Sequence, residues 1–163
     1  MRFDFGIVLV SLMILLCACN TEPVFPLEPK IEFLDIQPKV VRSLQDPILI
    51  TFRFQDGDGN IGILDDADPA NLFLVDSRLQ TGDLDSIQAT NVIRLPDLSS
   101  NNKKPEIQGE MTVSLDFTVL TSFFVDSQEV RYQIKLYDRE GNLAQPISGS
   151  DGAVYTDYIT VVR

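Results

Sequence analysis

Beyond residue 30, hydrophobic and polar residues alternate along most of the chain. The clearest stretches are residues 48–55, 111–119 and 130–137, in each of which nearly every second side chain is apolar. A period of two with one apolar face is typical of an antiparallel strand that lies half in a core and half in solvent. No stretch of comparable length has the spacing of an amphipathic helix, so these three stretches predict strands.

Weaker strands are predicted at residues 30–37, 72–76, 86–95 and 154–162, separated by clusters of Gly, Pro, Asn and Asp that favour turns. About seven short strands with this spacing predict an all-β fold, namely an immunoglobulin-like antiparallel β-sandwich. A chain of 163 residues fits a single domain, which at this size buries roughly two-thirds of its unfolded surface without disulfide bonds.

The first 20 residues have the features of a bacterial export signal. An almost entirely apolar run over residues 5–16 is shorter than the roughly 20 residues that a membrane-spanning helix needs. The run ends in Leu16-Cys17-Ala18-Cys19, which resembles the lipobox of bacterial lipoproteins. The resemblance implies a signal peptide of residues 1–18 and a lipid on Cys19. A lipobox at Cys17 is disfavoured because a large Leu would precede the cysteine. An ordinary secretory signal and an uncleaved anchor are the alternatives.

Residues 19–29 predict an extended stem, since prolines at positions 23, 26 and 29 favour polyproline II geometry. The folded domain is expected to span residues 30–163. Several acyl chains on one cysteine attach a protein stably to a bilayer. We therefore expect the protein in the cell envelope, bound through Cys19 to the outer membrane, with the side of that membrane left open.

Composition excludes several functions. The net charge of −11 opposes binding to nucleic acid, which depends on Lys and Arg that displace counterions. The absence of histidine removes the commonest general base and excludes Ser-His-Asp and Cys-His sites within this chain. Zinc and copper sites are disfavoured for the same reason, whereas the acidic charge attracts divalent cations.

Two short motifs resemble known bacterial proteins. Residues 132–146, YQIKLYDREGNLAQP, resemble the sixth strand and following turn of bacterial immunoglobulin-like domains. The phrase FQDGDGNIG, from Phe54, resembles a motif that follows the second strand in small lipoproteins of the Bacteroidetes type. The resemblance implies a fold and a compartment, but that family is largely uncharacterised and implies little about function.

The stretch from Asp56 to Asp68, which we call the aspartate loop, contains five aspartates and three glycines. In an immunoglobulin-like sandwich this loop and the loop near Asp138 lie at the same end, together with the loop before residue 107. Calcium prefers six to eight oxygen ligands in flexible geometry, so the two acidic loops predict a calcium site. The candidate ligands are Asp56, Asp58, Asn60, Asp65, Asp66, Asp68 and Asp138.

An EF-hand is excluded, because Ile61 stands where that loop needs Gly and Ala67 where it needs Glu. A second interpretation needs no ion. Asp-Gly and Gly-Asn pairs form turns, and the acids would then face water and keep the protein soluble. Both interpretations stay open at this point.

The sequence favours a lipid-anchored binding or interaction module of the envelope, whose partner is an envelope protein or a glycan. The alternatives are a carboxylate-based hydrolase of the glycosidase type and a purely structural envelope protein. A hydrolase also needs aromatic residues that hold substrate and a carboxyl with a raised pKa, which the sequence does not indicate, so we expect no enzyme. Residues 123–125, Phe-Phe-Val, are expected in the core or at an edge; if exposed together, they would form a partner patch.

Overall fold

The computed structural model of the chain describes residues 25–78, 90–99, 105–148 and 152–163. Within these residues the chain forms eleven strands and no helix, so the predicted all-β class is confirmed. The strands are β1 (Lys30–Gln37), β2 (Val40–Arg42), β3 (Ile48–Asp56), β4 (Leu72–Asp76), β5 (Thr90–Ile93), β6 (Ile107–Leu115), β7 (Ser127–Val130), β8 (Tyr132–Leu136), β9 (Gln145–Pro146), β10 (Val154–Tyr155) and β11 (Ile159–Val162).

The strands form three sheets in the described part of the chain. Two have four strands, in the orders β6-β3-β1-β9 and β10-β8-β4-β5, and the third has three, in the order β2-β11-β7. Pairing is antiparallel except between β1 and β9 and between β2 and β11. The largest interface runs along β3, which pairs with both β1 and β6 over most of its length.

Alternation along β3 and β8 builds the core. The side chains of Ile48, Ile50 and Phe52 are fully buried on β3, and those of Ile134 and Leu136 almost so on β8. Residues from all three sheets belong to one hydrophobic cluster. Burying an aliphatic or aromatic side chain of this size contributes about 1.5–3 kcal/mol, so the period-two pattern identified the elements that stabilise the fold.

The boundaries of β6 differ from the prediction because its partner, β3, begins only at Ile48. The predicted strand 111–119 is shifted in the structure to Ile107–Leu115. Leu115 pairs with Ile48, the first residue of β3, and Pro47 before it has no N–H to extend the ladder. The alternation continues past Leu115, but Phe117 and Val119 are exposed rather than buried.

Two other predicted strands are each divided in two. The stretch 130–137 corresponds mainly to β8, which pairs with β4, and its first residue, Val130, is the last residue of β7, which pairs with β11. The stretch 154–162 likewise becomes β10 and β11, which lie in different sheets. The predicted strand 86–95 is represented by β5, and residues 86–89 lie outside the described residues. Each break lets one stretch of chain serve two sheets.

The polypeptide reaches the domain at the end of the fold where β3 finishes. Lys30 at the start of β1 pairs with Gln55, so the N-terminal side of β1 lies beside Asp56. Pro29 is buried, and its carbonyl accepts a hydrogen bond from the N–H of Gln145 at 3.0 Å. The last part of the predicted stem, residues 25–29, is therefore already docked on the domain. We call this the stem end.

The opposite end, which we call the far end, carries the turn at residues 43–47, the segment 116–126 and the C-terminus. The N–H of Leu44 donates to the carbonyl of Thr118 at 2.8 Å, and the N–H of Arg163 to that of Asp126 at 3.1 Å. Residues 1–24, with the predicted signal peptide and Cys19, lie outside the described residues. Among the described residues, no helix is long and apolar enough to cross a membrane.

Candidate functional site

The aspartate loop is covered by other backbone segments at the stem end. The N–H of Gly57 donates to the carbonyl of Pro26 at 2.8 Å. A Cβ on Gly57 would lie 2.5 Å from that same carbonyl oxygen, and a Cβ on Gly59 would overlap the carbonyl of Pro105. Gly59 also has a φ of +68°, which favours glycine. The loop thus needs glycine for close backbone approach as well as for its turn.

The three loops predicted to share one end do meet there. Ile61 forms an antiparallel bridge with Asp138, and Ile63 forms a parallel bridge with Pro96. The N–H of Arg139 donates to the carbonyl of Asn60 at 3.2 Å. Ile61 is fully buried, so the first half of the aspartate loop belongs to the core of this end and is not a solvated tip.

Asp56, the last residue of β3, has a fully buried side chain. Its Oδ2 accepts a hydrogen bond from the backbone N–H of Asn60 at 2.8 Å. Burial and the neighbouring charge of Asp58 raise the pKa of Asp56 to about 6, although the hydrogen bond from Asn60 opposes the rise. An ionised carboxylate at this position therefore destabilises the folded state unless a positive charge lies beside it.

Three oxygen atoms of the loop have no hydrogen-bond partner among the described residues. Oδ2 of Asp58 accepts a hydrogen bond from Nδ2 of Asn60 at 2.9 Å, which leaves the other oxygen of each side chain free. The buried, unpartnered atoms are Oδ1 of Asp56, Oδ1 of Asp58 and Oδ1 of Asn60. Buried polar atoms are almost always satisfied in native structures, so three orphaned acceptors on alternate residues require an explanation.

Hydrogen bonds within the second half of the loop occupy its acids. Oδ2 of Asp68 accepts the N–H groups of Leu64 and Asp65 at 2.9 and 3.0 Å. These two hydrogen bonds lower the pKa of Asp68. Oδ1 of Asp65 accepts the N–H of Ala67 at 2.9 Å, and Asp66 is exposed. This half of the loop is a turn of the kind that aspartates form without an ion.

Asp138 is likewise committed to its own turn. Its two carboxylate oxygens accept the backbone N–H and the Nδ2 of Asn142 at 2.7 and 2.8 Å. No three acidic, histidine or cysteine side chains of the described residues come together to hold a metal. The seven predicted ligands therefore divide into one group with unpartnered oxygens (Asp56, Asp58 and Asn60) and four residues that shape turns or face solvent.

A cleft of about 450 Å³ opens beside the aspartate loop. Phe73 and Tyr137 line one part of it and pack edge to face, with ring centroids 5.8 Å apart. Asp68 and Arg139 supply charges of opposite sign to the same cleft. The volume lies within the range of small-molecule sites, about 300–1,000 Å³.

The far end carries a group of exposed apolar side chains, which we call the apolar tip. Phe123 and Phe124 are 95% and 98% exposed. The other members are the exposed residues Leu44, Phe117 and Val119. Burial of Phe123 and Phe124 in the core, one of the two expectations for residues 123–125, is therefore wrong, whereas Val125 is half-buried. The sequence did not indicate that Phe117 and Leu44 would be exposed at the same end.

Hydrogen bonds hold the backbone of the apolar tip in place. A guanidinium nitrogen of Arg163 donates to the carbonyl of Phe123 at 2.8 Å. The N–H of Leu120 donates to Oγ of Ser43 at 3.1 Å. Leu44 has a φ of +63°, a left-handed conformation that is unfavourable for leucine. The exposed leucine is therefore held in a strained turn without burial to offset the strain.

Comparison with known proteins gives little guidance. No family model matches the chain, and no curated protein matches it. Among solved structures, the chain is similar to one described as "X-ray structure of Northeast Structural Genomics Consortium target SoR45", with 10% identity over 83% of this chain and 84% of that one. The TM-score is 0.22, which is too low to support an argument about fold or function.

Proposed function

We propose that the chain is a lipid-anchored binding module of the cell envelope that presents its apolar tip to a partner protein. The observation that carries the proposal is that the stem and the apolar tip lie at opposite ends of the fold. Only five residues separate Cys19 from Phe25, the first described residue, so the two positions lie at most about 20 Å apart along the chain. A lipid on Cys19 would keep the stem end near the bilayer and direct the tip away from it.

The apolar tip has the chemistry of a protein interface. Aromatic side chains are enriched in the cores of such interfaces, and exposed apolar surface of this kind often marks an interaction site. A bilayer is a poor occupant here, because the anchor holds the other end of the domain against it. The strained backbone of Leu44 supports the same conclusion, since an exposed leucine contributes little to folding at that position.

The immunoglobulin-like sandwich remains our proposal for the type of all-β fold. Two four-stranded sheets around a common hydrophobic cluster support it, as do the three loops that meet at the stem end. In such domains, loops at one end of the sandwich carry the binding surface. In this chain the stem docks at the aspartate loop, so we assign partner binding to the opposite end.

A hydrolase is the less favoured function because the available carboxyls lack the required environment. A glycosidase needs one protonated acid and one carboxylate on opposite sides of an accessible substrate site. Asp68 in the cleft has a lowered pKa, which opposes a role as acid. Asp56 has a raised pKa, but its side chain is fully buried beneath the loops, out of reach of a polysaccharide.

The test is photocrosslinking from the apolar tip in cells. A photoreactive phenylalanine analogue at position 124 should crosslink one envelope protein, whereas the same analogue at Asp66, an exposed position of the stem end, should not. The captured protein, once identified and purified, should bind the purified domain. Phe123→Ser with Phe124→Ser should weaken that binding at least tenfold, and Asp66→Asn should leave it unchanged. Equal binding by the serine variant, or crosslinks only to a second copy of the chain, would overturn the proposal.

The cleft supports a second candidate function, binding of a glycan unit. Its aromatic pair offers an apolar wall, and Asp68 and Arg139 offer hydrogen-bond partners for hydroxyl groups. Titration of envelope-derived oligosaccharides by calorimetry tests it. Binding that is lost in Tyr137→Ala but retained in the serine variant of the apolar tip would assign the glycan to the cleft.

A further inference from the structure

We propose that Asp56, Asp58 and Asn60 bind a divalent cation, preferentially calcium, in a buried site at the stem end. The proposal rests on the three unpartnered oxygens of these residues and on the complete burial of the Asp56 side chain. It is independent of the partner that the apolar tip binds.

A single water molecule cannot satisfy the three oxygens. Each is an acceptor, and one water molecule donates only two hydrogens. Among the described residues, neither Asp56 nor Asp58 forms an ion pair with Arg or Lys. Two adjacent carboxylates in a buried site carry a charge of −2, which a divalent cation would neutralise while accepting all three oxygens as ligands.

The donor set indicates which cation is favoured. All three ligands are oxygens, and the chain has no histidine, so metals that prefer nitrogen or sulfur are disfavoured. Calcium accepts carboxylates, amide carbonyls, backbone carbonyls and water in flexible geometry, whereas magnesium requires near-octahedral geometry and releases its water reluctantly. The alternate spacing of Asp56, Asp58 and Asn60 also matches the first three ligand positions of an EF-hand loop, although the rest of the loop does not.

The site lies where the ion would also secure the stem. Gly57, between the first two ligands, donates to the carbonyl of Pro26, and Asn60 accepts from the N–H of Arg139. An ion that holds the loop in this geometry therefore also holds the docking site of residues 25–29. We expect calcium to order the connection between lipid and domain as well as the loop.

The experiment is thermal unfolding of the chain from residue 19 onwards, with Cys19→Ser so that no lipid is present. This form keeps residues 25–163, which supply the described hydrogen bonds of the aspartate loop, and a cooperative melt in EDTA verifies that it folds. Melts are recorded in EDTA, in calcium and in magnesium. Calcium at about ten times its Kd should raise Tm by roughly 4–7 °C, and magnesium at the same concentration should raise it by less than half as much. Calorimetry with calcium alone should give one site per chain.

Asp58→Asn is the decisive variant, because the proposal predicts opposite effects on Tm in the absence and in the presence of calcium. Removing one of two adjacent negative charges should raise Tm in EDTA, and it should abolish the calcium-dependent rise. Asp66→Asn, which removes an exposed charge of the same loop, is the matched control and should preserve the calcium-dependent rise. A higher Tm in EDTA also shows that the variant folds.

Three outcomes would overturn the proposal. A calcium effect that persists in Asp58→Asn would place the ion elsewhere. Equal effects of calcium and magnesium would indicate screening of the negative charge of the chain. A wild-type Tm that neither cation changes, together with no heat of calcium binding in calorimetry, would show that the three oxygens hold no divalent cation.

Discussion

Glycine-to-alanine substitutions along the stem end provide a graded test of how tightly the loops are packed. Gly59 has a φ of +68°, and a Cβ added to it would overlap the backbone carbonyl of Pro105. Gly141 has a φ of +87° but nothing within 4 Å of an added Cβ. Gly152 also has open space there and no positive φ. The three positions therefore separate backbone strain from steric overlap.

The expected loss in the free energy of unfolding of each variant follows from these two factors. A left-handed conformation costs an alanine about 1–2 kcal/mol, which is the whole effect expected for Gly141→Ala. In Gly59→Ala the overlap involves backbone, which no side-chain rotation relieves, and overpacking of this kind costs a further 1–3 kcal/mol or so. We expect a total of roughly 2–5 kcal/mol for Gly59→Ala. Gly152→Ala should change stability by less than about 0.5 kcal/mol.

The assay is urea unfolding of the unlipidated domain at one fixed calcium concentration, with the midpoint and slope measured for each variant. Equal slopes would show that the substitutions change stability and not the extent of unfolding. A loss of stability in Gly59→Ala no larger than that in Gly141→Ala would show that the carbonyl of Pro105 is not packed against Gly59. A loss in Gly152→Ala as large as in either of the other variants would likewise contradict the expected order.

Three other predictions concern the far end. Arg78→Met should cost about 3 kcal/mol or more in urea unfolding, because Asp76 is 7% exposed and would lose its ion pair at 2.6 Å; adding Asp76→Asn should recover most of the loss. Hydrogen bonds from Arg42 lower the pKa of Asp46 to about 2, so this carboxylate stabilises the fold above its ordinary pKa near 4 and loses that effect as pH falls towards 2. Melts at pH 5 and pH 2.5 should therefore show a smaller loss of Tm in Asp46→Asn than in the wild type, and an equal loss would contradict the assignment. Leu44→Gly should leave stability unchanged or raise it by up to about 1 kcal/mol, because glycine tolerates the φ of +63°, whereas a clear loss would show that the leucine side chain is packed.

The strands whose formation depends on local alternation could be predicted from the sequence. The boundaries of β1 and β4 match the predicted strands, and β3 differs by one residue. Ile48, Ile50 and Phe52 are buried as the alternation predicted. These features could be predicted because side-chain direction along a strand depends only on the period of the backbone. The meeting of the three loops followed from the order of the strands.

The residue at which an alternating stretch loses its neighbouring strand could not be predicted, because it depends on the position of that neighbour in the folded chain. Phe117 continues the alternating pattern of β6 but is exposed, because β3 begins only opposite Leu115. The aspartates show the same limit. Asp56 and Asp68 are equally acidic in the sequence, yet one is buried with an unpartnered oxygen and the other accepts two N–H groups in an exposed turn. Pairing, burial and the supply of hydrogen-bond donors depend on residues far apart in the chain. Local composition therefore indicated an acidic end of the fold, but it could not show which aspartates are candidate ligands and which form turns.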